Sequence, residues 1–234
     1  MNDQLTEDQW QQFEQDGYLR LGKVLTEEEL AALQRRMDDI MLGTAEIDYT
    51  RTLMQRDSDT GQYGDVGPAN RGFKGPTLNY RKIEDLEFDP LFLAYMQRPL
   101  FRHICERVYG SGTPITAFRA MFMNKPAGKG TFLPWHQDRW TDLDRDPLIT
   151  IWTALDPATA DNGCIQIINH SHRAGLINKE HPSGFVTPEQ AQEVAAKNGV
   201  SHLEVPAGEA VLLHNWLLHS SDVNRTAIPR RAFS

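Results

Sequence analysis

The chain predicts an α+β fold, with helices first and a β-barrel or jelly-roll half after them. Three observations carry that prediction. The first forty residues hold two capping boxes, Thr6-Glu7-Asp8-Gln9 and Thr26-Glu27-Glu28-Glu29, each with a hydroxyl three residues before a Gln or Glu. Beyond Gly110 the texture changes to short apolar runs bounded by Gly, Pro or Asp, the mark of a β half. The length of 234 residues, with 40% hydrophobic and 24% charged, suits one globular domain, helical over about 1–110 and barrel-like over about 111–234.

The first helix takes its apolar edge from Trp10 and Phe13. Asp16-Gly17 then turns the chain into a short strand, Tyr18-Leu19-Arg20-Leu21. The second helix shows Leu30, Leu33 and Met37 at helical spacing. From 50 to 82 the sequence dissolves into Gly, Asp, Asn, Pro and Arg without periodicity, which predicts a long functional or mobile loop. Leu91, Leu93, Met96, Leu100, Ile104 and Val108 predict one helix over about 89–108. Strands are expected at 115–124, 148–155, 163–168, 201–205 and 210–213, with an inserted helix at 187–198 opening on Thr187-Pro188-Glu189-Gln190. There is no internal repeat or low-complexity segment.

Composition excludes several classes. A net charge of −8 with no clustered basic run disfavours nucleic acid, and no apolar run approaches the ~18–20 residues that span a bilayer. Cys105 and Cys164, far apart in apolar or β-like contexts, read as buried free thiols in a reducing compartment. The polar start Met1-Asn2-Asp3-Gln4 has no apolar signal core, so the expected location is cytoplasmic. Oligomeric state is not legible.

The chemistry concentrates in Trp135-His136-Gln137-Asp138-Arg139-Trp140. On a strand, residues two apart share a face, so His136 and Asp138 both point inward while Gln137 faces away or bends around the rim. A later strand can deliver His219, from Leu217-Leu218-His219-Ser220-Ser221. Two imidazoles and one carboxylate are the facial set that leaves open positions on non-haem Fe(II), although Mn(II), Co(II) and Zn(II) accept the same donors. Arg230 or Arg231 supplies a planar fork suited to a carboxylate. Arg230 stands an odd number of residues after His219, so a bulge or turn between Asp222 and Pro229 must reset the register, and spacing does not choose between the two arginines. His214, at an odd offset from His219, is expected to be structural.

Nearly the whole chain, from Leu5 to Ser234, resembles the phytanoyl-CoA dioxygenase family of Fe(II)- and 2-oxoglutarate-dependent oxygenases. The resemblance rests on segments that occur in order: Leu5-Thr6-Glu7-Asp8-Gln9 with Phe13 and Asp16-Gly17-Tyr18, Met121-Phe122-Met123-Asn124-Lys125-Pro126, His136-Gln137-Asp138, Trp152-Thr153-Ala154-Leu155, Asp161-Asn162-Gly163-Cys164, and His219-Ser220-Ser221 with Asn224 and Arg230. It implies a double-stranded β-helix (jelly-roll, cupin-like) with N-terminal helices packed on it. It also implies His136, Asp138 and His219 as iron ligands and Arg230 as the clamp on the distal carboxylate of 2-oxoglutarate.

By the same comparison Lys82, Met121, Gln137, Trp152 and Ser221 fall where the family contacts 2-oxoglutarate. The competing role of Met121 and Trp152 is core packing, and that of Ser221 a surface turn. The implied reaction uses Fe(2+), 2-oxoglutarate and O2 to hydroxylate an unactivated C–H of a small-molecule substrate, releasing succinate and CO2. Asp138 disfavours halogenation, for which relatives carry a small residue there. Two departures stand out. Asn169-His170-Ser171-His172 replaces a family Pro-Gly-Ser-His, so His172 is expected to anchor a loop. Arg231-Ala232-Phe233-Ser234 looks like only the start of a last strand, so either the barrel closes in a shortened way or a tail is missing. The alternative from another class is a catalytically silent 2-oxoglutarate- or metal-binding barrel; a zinc hydrolase, lacking an evident general base, ranks last. Arg51, Arg56, Arg71, Lys74 and Arg81 give the 50–82 segment a basic excess that an anionic substrate could use.

Overall fold

Each helix start that carries a capping box is built as one in the computed structural model, which describes residues 3–117, 119–143 and 145–234. Met1 and Asn2 of the polar N-terminus, and Phe118 of the expected 115–124 strand, lie outside these residues. The elements in chain order are α1 (Glu7–Asp16), β1 (Tyr18–Lys23), α2 (Glu27–Leu42), β2 (Leu53–Arg56), β3 (Asn70–Arg71), β4 (Tyr80–Glu84), α3 (Pro90–Met96), α4 (Pro99–Tyr109), β5 (Phe122–Lys125), β6 (Leu133–His136), β7 (Ile149–Ala154), β8 (Ile165–Ile168), α5 (Pro188–Asn198), β9 (Val200–Leu203), β10 (Glu209–His214), β11 (His219–Ser221) and β12 (Arg230–Phe233).

Two expectations are corrected. The helix expected over 89–108 is two helices, because Pro99 brings no N–H to continue α3 and instead opens α4 at its first turn. The segment 50–82 is not one loop. It holds β2, β3 and β4, short strands that extend the large sheet at one edge.

The strands form an eight-stranded sheet, ordered β1-β10-β7-β12-β5-β4-β2-β3, and a four-stranded sheet, β6-β11-β8-β9, all antiparallel. This is a jelly roll with helices on one side. Side-chain parity divides the large sheet cleanly. Ala210, Leu212, Phe122 and Phe233 pack outward beneath the helices with Leu33, Met37, Ile40, Phe92 and Ile104. Val211, Leu213, Trp152, Ala154 and Ala232 pack inward against Ile165, Ile167 and Leu203 of the small sheet. The expected final strand, read as starting at Arg231, is β12 (Arg230–Phe233), which lies between β5 and β7 and bonds to both.

His214 ends β10 away from the barrel interior. Its Nδ1 accepts from the Trp216 N–H at 3.0 Å and its ring stacks on Phe13. His172 accompanies it, with Nε2 donating to the Glu14 carbonyl at 3.1 Å, and so ties the 171–174 turn to the end of α1. Burial, and then His172, push the His214 imidazole down to about 4 from the usual 6.5. The folded state therefore resists protonating it. The stability carried by the neutral ring is complete above about pH 6.5 and is lost as pH falls through 4, on the order of 1 kcal/mol after allowance for partial exposure. Urea midpoints measured from pH 7 to pH 4 should fall less steeply for His214→Gln than for the wild type. Among the described residues, no helix is long and apolar enough to cross a membrane.

Candidate metal centre and co-substrate pocket

Strand pairing brings the two histidines together. His219 of β11 is the direct cross-strand partner of His136 of β6, and their ring centroids lie 4.1 Å apart. Asp138 follows β6 by two residues, held where its backbone N–H donates to the Asn215 carbonyl at 2.6 Å. One donor atom from each of His136, Asp138 and His219 falls within 4.8 Å of the others. The carboxylate reaches toward both rings, with 3.9 Å to His136 Nε2 and 4.0 Å to His219 Nε2.

The second hydrogen bond of each imidazole fixes how it is presented. His136 Nδ1 lies 2.8 Å from the Pro134 carbonyl, and His219 Nδ1 2.9 Å from the Leu217 carbonyl. A carbonyl only accepts, so Nδ1 carries the proton and the Nε2 lone pair faces Asp138 in both rings. Burial, and then His219, hold the His136 imidazole well below its usual range, and Arg81 acts in the same direction. Burial raises the Asp138 carboxyl, against the opposing pull of His219 and Arg119. Two lone pairs and a largely buried carboxylate converging on one point are a donor set that fits a divalent metal, three on one side with the remaining positions open.

The backbone around the triad is tightly constrained. Gly184 packs so closely that a Cβ there would lie 2.0 Å from the Gln137 carbonyl, and its φ of +68° is one that side-chain-bearing residues rarely adopt. That approach lets the Gln137 N–H bond to the Gly184 carbonyl and brings Phe185 to stack on His136 at 5.1 Å.

Parity on β12 separates the two arginines that spacing left open. Arg230 shares the inward face with Ala232, whereas Arg231 faces α2. Arg231 is fully engaged: Nε and Nη2 bond both oxygens of Asp156 at 2.8 Å, and Nη1 reaches Asp38 at 2.7 Å. Arg230 is 4% exposed and has no carboxylate within ion-pair distance among the described residues. Its Nε donates to the Gly163 carbonyl at 3.2 Å, and its guanidinium carbon sits 5.7 Å from the Trp152 ring centroid. Burial lowers its pKa to about 10. The register reset expected before Arg230 is a turn built on Asn224, whose side-chain amide donates to the Lys125 and Ile228 carbonyls.

The other expected contacts divide. Trp152 lies beside Arg230 on the inward face, and Ser221 shares its face of β11 with His219. Met121 is half-buried, its backbone exchanging bonds with Ser234. One is corrected. Gln137 is fully buried, and its amide is consumed by backbone: Nε2 donates to the Gly175 and Trp216 carbonyls, and Oε1 accepts from the Ile177 N–H. It faces away from its two neighbours, as strand alternation allows, and braces loops. Lys82 pairs with Glu84 at 2.6 Å, a carboxylate that Arg119 also approaches at 3.5 Å.

Two further cations lie close to Arg230. Lys125 lies opposite Arg230 across β5 and β12, 4% exposed. Arg81 is the one member of the basic 50–82 set within electrostatic reach of both His136 and Arg230. Arg56 bonds the Lys74 carbonyl, Arg71 pairs with Asp85, and Arg51 stacks on Phe88. The basic excess noted in the sequence was a signal for Arg81, while Lys125 was marked only as a member of the Met121–Pro126 segment.

The family model for phytanoyl-CoA dioxygenase (PhyH) matches residues 13–232. A probable phytanoyl-CoA dioxygenase of Caenorhabditis elegans is 26% identical over 240 residues, covering 98% of this chain and 74% of the relative. The phytanoyl-CoA dioxygenase domain-containing protein 1 of Danio rerio is 29% identical over 267 residues, covering 99% and 89%. Among solved structures, EctD from S. alaskensis with bound Fe superposes with a TM-score of 0.74 at 21% identity, over all of this chain and 77% of that one, a likeness of fold. With the jelly roll and the His/Asp/His cluster already described, the chain belongs to the phytanoyl-CoA dioxygenase family and is a 2-oxoglutarate-dependent dioxygenase of the iron-dependent class.

Proposed function

We propose that this protein, acting as one catalytic unit over residues 1–234, hydroxylates an unactivated C–H bond of a small molecule with release of succinate and CO2. The observation that carries the reading is a pairing on one inner surface. A three-donor cluster with open positions lies in the same barrel as a buried arginine that has no carboxylate of its own. In this reading His136 Nε2, His219 Nε2 and Asp138 hold Fe(II), and Arg230 receives the distal carboxylate of 2-oxoglutarate with Trp152 and Ser221 beside it. Bound iron supplies the O2 chemistry, coupling oxidative decarboxylation of 2-oxoglutarate to oxygen insertion.

The chain's own part is orientation and charge. The Pro134 and Leu217 carbonyls keep each Nε2 free to ligate, and the burial of Arg230 makes its charge count for more than it would in water. Arg81, with the Tyr63 ring 5.2 Å from its guanidinium and no ion-pair partner among the described residues, supports a substrate that itself carries negative charge. A reducing, cytoplasmic setting is part of the proposal, supported by the free thiols Cys105 and Cys164.

Titrating 2-oxoglutarate into the anaerobic Fe(II)-loaded protein tests the reading. A weak visible absorption should develop, disappear in His136→Ala, and need more 2-oxoglutarate in Arg230→Met. A folded wild-type protein that binds iron and 2-oxoglutarate in no detectable way would refute it. Substrates would then be screened by succinate release, starting with carboxylates and phosphates.

A further inference from the structure

Arg119 is an arginine at the rim of the metal centre that the reading above leaves unused. The chain ahead of β5 stays extended: Met121 exchanges backbone bonds with Ser234, and the Ala120 carbonyl accepts from the Leu86 N–H. Ala120 and Phe122 pack outward beneath the helices, while Met123 packs inward toward the small sheet. By alternation Arg119, Met121, Met123 and Lys125 share the inner face. Lys125 is the cross-strand partner of Arg230. Arg119 stands six residues before it (125 − 119), roughly 20 Å along an extended chain, and so belongs to the far end of that face.

Its surroundings are those of the metal ligand Asp138. The Arg119 guanidinium carbon sits 5.2 Å from the ring centroid of Trp140, two residues beyond Asp138. Burial dominates the Asp138 carboxyl, and Arg119 is one of the two groups, after His219, that pull against it. Arg81, by contrast, lies within electrostatic reach of His136 and Arg230. Glu84 shares one oxygen between Lys82 at 2.6 Å and Arg119 at 3.5 Å, so one carboxylate serves two cations and Arg119 is the more distant of them. The Arg119 side chain is 34% exposed, open to a molecule arriving from solvent.

A guanidinium set against an indole keeps its N–H edge for a planar partner, and a carboxylate matches that edge with two parallel hydrogen bonds. An arginine placed only to neutralise Glu84 would sit at least as close to it as Lys82 does. We propose, resting on the hydroxylase reading above, that Arg119 binds a carboxylate of the molecule to be hydroxylated, with Trp140 as the plate behind the guanidinium. Because this pair stands beside a metal ligand, the substrate is a small carboxylic acid oxidised at a carbon a few bonds from that group.

The test sets carboxylic acids against their own amides. The wild-type protein, loaded anaerobically with Fe(II) and 2-oxoglutarate, is titrated with a panel of small amino, hydroxy and aryl acids and with the primary amide of each. Binding is read from the change in the visible absorption and, independently, from the rise in melting temperature. Acids should bind, and their amides about 100-fold more weakly. The best acid should lose about 100-fold in affinity to Arg119→Gln and recover part of it with Arg119→Lys, and in turnover the loss should fall on KM more than on kcat. Iron and 2-oxoglutarate should bind to Arg119→Gln within about threefold of the wild type, which an arginine that merely held Asp138 or Glu84 in place would not allow. Acids and amides that bind alike, a panel from which nothing binds, or an acid affinity unchanged in Arg119→Gln would overturn the assignment and leave the hydroxylase reading standing. A loss of iron or 2-oxoglutarate affinity as large as the loss of acid affinity would do the same, reducing Arg119 to a support for the cluster. A wild-type protein that develops no visible absorption would overturn both.

Discussion

Arg230→Met should abolish high-affinity 2-oxoglutarate binding while leaving the protein at least as stable as before, and Arg231→Met should do the reverse. The two guanidiniums are adjacent in sequence and opposite in environment. Arg230 is desolvated with only a carbonyl as hydrogen-bond partner, so replacing it by an apolar chain of similar length removes a buried charge at little structural loss. What it removes functionally is a charge-assisted, forked contact to a carboxylate. Such a contact is worth about 2–3 kcal/mol, or roughly 100-fold in dissociation constant.

Arg231 bridges Asp156 and Asp38 and thereby fastens β12 to α2. Its loss strands a nearly buried Asp156 and should cost roughly 3 kcal/mol. For a chain of this size that is a melting-temperature drop of about 6–12 °C. Differential scanning calorimetry on the metal-free proteins, with 2-oxoglutarate affinities measured in parallel, reads both effects. If Arg231→Met weakens 2-oxoglutarate binding more than Arg230→Met does, the assignment of faces is wrong.

The sequence could not make that choice, for a physical reason. Strand parity says only that Arg230 and Arg231 face opposite ways. Which way is inward depends on a turn of eight residues and on partners as remote as Asp38. His136 and Asp138 were legible because their spacing of two suffices on one strand, and His219 because the reading needed only its residue type on a later strand. The helix starts were legible for the same reason, since a capping box is complete within four residues.

The failures follow the same logic. Apolar periodicity runs straight through Pro99, so one helix was expected where the missing N–H makes two. In the 50–82 segment the strands are two to five residues long, too short for alternation to show. With β4 unrecognised, the same-face pairing of Lys82 with Glu84 could not be inferred. Lys125 required knowledge of the β5–β12 register, which is a property of the folded sheet alone.

Around the metal cluster, His219→Ala and Gln137→Ala should separate ligation from bracing. His219 gives the cluster one of its three donors. A supporting partner of a metal ligand is worth 10- to 100-fold in affinity, so removing a ligand itself should weaken Fe(II) by on the order of 10³-fold or more. The metal-free protein should lose no more than about 1 kcal/mol, since the ring is partly exposed and its Nδ1 bonds only the Leu217 carbonyl two residues before it.

Gln137 contributes no donor to the cluster but satisfies two carbonyls and one N–H from the 175–177 and 216 segments, all in a fully buried place. Truncating it orphans these groups at about 1–3 kcal/mol each, so the metal-free protein should be destabilised by roughly 3 kcal/mol or more. Iron affinity should fall by a lesser factor, as the loops that position Asp138 and His219 loosen. The comparison also decides whether Gln137 belongs to the co-substrate pocket, as its position in the sequence suggested. A Gln137→Ala protein with an unchanged melting temperature and a raised requirement for 2-oxoglutarate would return it there. One that melts early, but binds 2-oxoglutarate normally once folded and loaded with iron, would establish its amide as the brace that holds the ligand strand against its loops.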